Sequence, residues 1–114
     1  MFGRKKKEQE KLQEREKTTI RINESHLKTK DGEIIRCENI AAHFTNKEET
    51  KEYSHDMVRQ CFITTTYTMT LDEIQNAKEK YEEAVLIEIN RVIAKAPFIC
   101  DTLTIEKINK VEVR

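Results

Sequence analysis

The residues of this chain best suited to metal binding or nucleophilic chemistry are three histidines, His26, His43 and His55, and three cysteines, Cys37, Cys61 and Cys100. A metal site needs donors a few residues apart on a loop, or at i, i+4 on a helix, and no two of these six stand at such a spacing. No metal site is assigned, and Cys37 and His43 are read as core or rim residues of a strand. Ser54-His55-Asp56 sets a hydroxyl, an imidazole and a carboxylate side by side. Neighbours in sequence do not adopt triad geometry, whereas Ser and Asp suit the start of a helix, where they cap free amides. Glycine occurs only at Gly3 and Gly32, so no glycine-rich loop can cradle a phosphate. The paired carboxylates Asp72/Glu73 and Glu82/Glu83 are read as an outward, solvating helix surface. The pattern assigns no catalytic, cofactor-binding or metal-binding residue, and the chain is read as no enzyme.

One cluster could act by charge alone. Arg4, Lys5, Lys6 and Lys7 open a segment, Met1 to Lys17, whose net charge is +3, balanced by −3 over the rest of the 114 residues. Such a cluster suits a non-specific contact with nucleic acid or with an anionic membrane surface. Four glutamates follow it, and no aromatic residue interleaves with the basic ones as in a single-strand binder.

The elements that would position these groups are legible in part. With 37% hydrophobic and 37% charged residues, the chain has material for one small core. Residues 1–17 hold helix formers but a lone apolar Leu12 after Phe2, so they are read as a helical or disordered arm before a single domain over 18–114. Thr18–Asn23 alternates as a half-buried strand, and Asp31-Gly32 is the strongest turn signal, predicting a hairpin with a second arm from Glu33 to Phe44. Thr45–Tyr53 reads as a solvated loop. Ile63–Met69, rich in threonine, reads as a strand. Thr70 and Glu73 form a capping-box pattern, and Ile74, Ala77, Tyr81, Val85, Ile89, Val92 and Ala96 follow at helical steps, predicting one helix from Leu71 to Ala96 that Pro97 ends. A last strand follows, with Ile99, Asp101, Leu103 and Ile105 on one face and Cys100, Thr102 and Thr104 on the other. The expected class is α+β, a main amphipathic helix on a small, mostly antiparallel sheet. Three cysteines without pair spacing point to free thiols in a reducing compartment, and no apolar run reaches the roughly 18–20 residues of a membrane span, so a cytoplasmic location is expected.

From Leu71 to Ile108 the sequence LDEIQNAKEKYEEAVLIEINRVIAKAPFICDTLTIEKI resembles the second half of the stomatin–prohibitin–flotillin, or band 7, domain. Lys78-Glu79, the run Tyr81–Ile93 and the Leu103–Ile108 pattern carry the likeness, and Lys30–Ile35 is similar to that family's Asp-Gly hairpin. Ile89-Asn90-Arg91-Val92 is similar to the helix end of the flagellar stator-associated proteins, whose fold is related. The resemblance implies a non-enzymatic domain acting through protein contacts: a scaffold that docks on a protein partner or forms a homo-oligomer. The surfaces it would use are the strand edge at Phe98, Cys100, Thr102 and Thr104 and the basic residues Arg4 to Lys7. The alternative reading is a small nucleic-acid-binding or regulatory protein using the basic arm.

Overall fold

A computed structural model describes residues 17–46, 55–96 and 98–112. Two long strands come first, β1 (Lys17–Lys28) and β2 (Ile34–Asn46). Three helices follow, α1 (His55–Tyr67), α2 (Leu71–Asn76) and α3 (Lys78–Val92), and the chain returns as β3 (Phe98–Val111). The strands form one antiparallel sheet in the order β1-β2-β3, so the fold is α+β. Lys17, expected in the arm, opens β1; Arg4 to Lys7 and the rest of the arm lie outside the described residues. Of the expected loop, Thr45 and Asn46 complete β2, and residues 47–54 are likewise outside.

The predicted hairpin is present, and its tip is tied to the helices. Gly32 takes the left-handed conformation (φ +85°) that a side chain would oppose. Thr29 is fully buried; its hydroxyl donates to Asp31 Oδ1 at 2.5 Å and accepts from the Glu33 amide at 3.0 Å. The Lys30 amide donates to the Met69 carbonyl at 2.8 Å, and the Leu71 amide to Asp31 Oδ1 at 3.2 Å.

Three bulges re-phase the alternation of the strands. Between Ile22↔Ile40 and Glu24↔Cys37, β2 contributes an extra residue, and Asn39 takes a left-handed φ of 52° with its amide donating to Asn23 Oδ1 at 2.8 Å. Between Glu24↔Cys37 and Leu27↔Ile35 the extra residue is in β1. Between His43↔Thr102 and Phe44↔Cys100 it is Asp101 in β3. Each bulge flips the side chains beyond it, so Cys37 and Ile40, Glu24 and Leu27, and Cys100 and Leu103 all face the core despite odd spacings. This corrects the expected faces of the last strand: Cys100 joins Leu103 and Ile105 inside, while Ile99 and Asp101 are exposed along with Thr102 and Thr104.

The helices also depart from expectation. Ile63–Met69 is not a strand, since α1 runs through Tyr67. Its buried residues, Val58, Cys61, Phe62, Thr65 and Thr66, recur at helical steps once the two threonines count as apolar. Thr66 satisfies its hydroxyl on the Phe62 carbonyl one turn back, at 2.5 Å. The helix expected over Leu71–Ala96 is divided at Ala77 (φ −141°, ψ 63°) and ends at Val92, with a turn before Pro97. The capping box is formed, Thr70 Oγ1 accepting from the Glu73 amide at 3.2 Å and Glu73 Oε1 from the Thr70 amide at 2.9 Å. The stripe closes with Ile93 rather than Val92, which is 48% exposed.

All three helices cover one face of the sheet. Ile20, Leu27, Ile35, Ile40, Phe44 and Ile105 meet Val58, Phe62, Ile74, Tyr81, Val85 and Ile89, and the Phe62 and Tyr81 rings touch edge-on with centroids 6.1 Å apart. Each such side chain contributes about 1.5–3 kcal/mol by leaving water. Among the described residues no helix lies on the opposite face of the sheet.

Candidate interaction surface: two sheet edges and an open face

The groups that could do covalent chemistry lie inside. Cys37, Cys61 and Cys100 are buried free thiols; desolvation pushes Cys37 and Cys100 up to about 12 and Cys61 to about 11. A thiol held protonated is a poor nucleophile and a poor metal ligand. The Tyr81 hydroxyl shares a 2.6 Å hydrogen bond with Thr66 Oγ1 and sits 3.9 Å from Cys37 Sγ, its pKa raised by the same burial. These groups satisfy one another as a buried polar patch in the core. The histidines are scattered: His26 meets Ser25, His43 meets Thr19, and His55 opens α1. Among the described residues no group of three or more His, Cys, Asp or Glu is placed to hold a metal ion.

At the edge formed by β3, α3 supplies the missing partner strand. Asn90 donates to the Cys100 carbonyl at 2.9 Å and accepts from the Cys100 amide at 2.8 Å, as a neighbouring strand would. Two turns earlier, Glu82 accepts from the Ile105 amide at 2.7 Å. Glu82 is therefore no solvating carboxylate, as its pairing with Glu83 suggests, but a cap on the sheet. Of the residues singled out on this strand, Phe98 pairs with Asn46 at its start, and its side chain lies outside the described residues. Cys100 is buried with both main-chain groups bonded to Asn90, while Thr102 and Thr104 stand exposed on the open face. The strand does not present these residues together. In the sequence Asn90 figures only within a helix-end likeness and Glu82 only as a solvating carboxylate; the one usable signal for a cap is a polar pair eight residues apart beside an apolar stripe.

The open face is polar. Thr19, His43 and Thr102 form one cross-strand row, and Arg21, Ala41 and Thr104 the next. Thr19 Oγ1 and His43 Nδ1 are 2.9 Å apart, and Thr45 donates to the bulged Asp101. A shallow groove of about 430 Å³ between this face and the start of α3 is lined by charges of both signs, Arg21 and Lys78 against Glu79, Glu82 and Glu106.

The edge formed by β1 differs along its length. Its far half is blunted by the bulge after Glu24 and by Glu24 itself, an inward carboxylate only 8% exposed. Burial raises the Glu24 pKa above the usual carboxylate range, and Arg59 of α1, 3.3 Å away, opposes that shift. The near half, Lys17–Ile22, pairs with β2 through six consecutive residues without a bulge. Among the described residues, no side chain or backbone group caps its outer edge.

No family model matches the chain, and no curated protein matches it. No helix among the described residues is long and apolar enough to cross a membrane.

Proposed function

We propose that this domain is a non-catalytic interaction module, a scaffold of band 7 character that works by self-association or by docking on a protein partner. One observation carries the reading. The sheet caps its β3 edge with Asn90 and Glu82, while among the described residues nothing caps the regular half of β1. An uncapped strand edge is a template for adding another strand, with main-chain hydrogen bonds supplying affinity. The buried, protonated thiols and the scattered histidines fit a domain that binds rather than reacts. The resemblance of Leu71–Ile108 to the band 7 domain supports the same reading.

The test is the solution mass of the full-length protein by light scattering over a wide concentration range, with affinity capture under the same conditions. A defined oligomer, or stoichiometric retention of one protein, is the expected result. A strict monomer that retains nothing would overturn the reading.

A further inference from the structure

We draw no further inference here: the strongest candidate, the exposed apolar patch that Ile63 and Tyr67 of α1 form towards the hairpin tip, beside the bulged half of β1, carries nothing because nothing in the structure shows what covers it.

Discussion

The two edges of this sheet solve the same problem in opposite ways. On β3, a helix contributes an amide and a carboxylate that occupy main-chain groups of the strand. On β1, a bulge and an inward charge protect one half, and among the described residues nothing caps the six residues before it, which pair regularly with β2. The difference teaches that sheet closure here is specific to position. Asn90 and Glu82 do for β3 what another strand would do.

Removing the caps should make the edges alike. Asn90→Ala strips two hydrogen bonds from the main chain of buried Cys100, and the expected loss is about 2–3 kcal/mol in urea unfolding. The Cys100 thiol of that variant should also label faster with a thiol reagent than in the wild-type protein, where all three cysteines are buried. Unchanged stability and labelling would show that Asn90 is not what closes β3. Glu82→Ala removes one charge-assisted bond, to Ile105, and is expected to cost about 1–2 kcal/mol, with Glu82→Gln recovering part of it through its amide oxygen.

On the β1 side, Glu24 gives a pH signature. Its folded-state pKa is raised above the ordinary 4.5, so the carboxyl favours the folded state most when protonated, and that contribution is lost as pH rises through the folded-state value. Asp31, Glu73 and Glu88 have lowered values and act in the opposite sense, losing their contribution on acidification. Glu24→Gln removes only the first effect, so its stability relative to wild type should improve as the pH is raised from below 4.5 towards neutral. A difference that does not vary with pH would show that Arg59 fully compensates the burial. The smallest effect is expected from Arg91→Ala, which breaks the paired 2.8 Å contacts with Glu88 on the exposed side of α3. It should barely move the urea midpoint, whereas a shift as large as that of Asn90→Ala would mean that the helix, and not its contacts with β3, sets the edge.

Some of this architecture was legible in the residues. Asp31-Gly32 announced the hairpin, and Thr70 with Glu73 announced a helix start, because both signals are local and their chemistry is complete within four residues. The threonine run at Ile63–Met69 misled because β-branched residues favour strands when nothing else decides. Here the packing of α1 against β1 and α3 decides, and Thr66 finds partners in the Phe62 carbonyl and the Tyr81 hydroxyl. The bulges left no usable signal. Asp101 carries nothing that marks it as an extra residue, and misphasing that one position put Cys100 on the wrong face. The caps on β3 were hidden for a related reason, since they join residues 10 and 23 apart in the chain and only the fold brings them together.

The joint at the hairpin tip bears on the order in which the molecule assembles. The Asp31 carboxylate serves both its own turn, through Thr29, and the first amide of α2, forty residues later. Closing a loop of that length costs conformational entropy that one hydrogen bond does not offset, so the joint forms only once the hairpin and the helical half are each largely built. Once formed, it makes the two halves melt together: loosening the turn around Gly32 also removes a partner from the start of α2. Hydrogen exchange should therefore show the amides of Glu33 and Leu71 opening in a single cooperative unit, even though they sit in different halves of the chain.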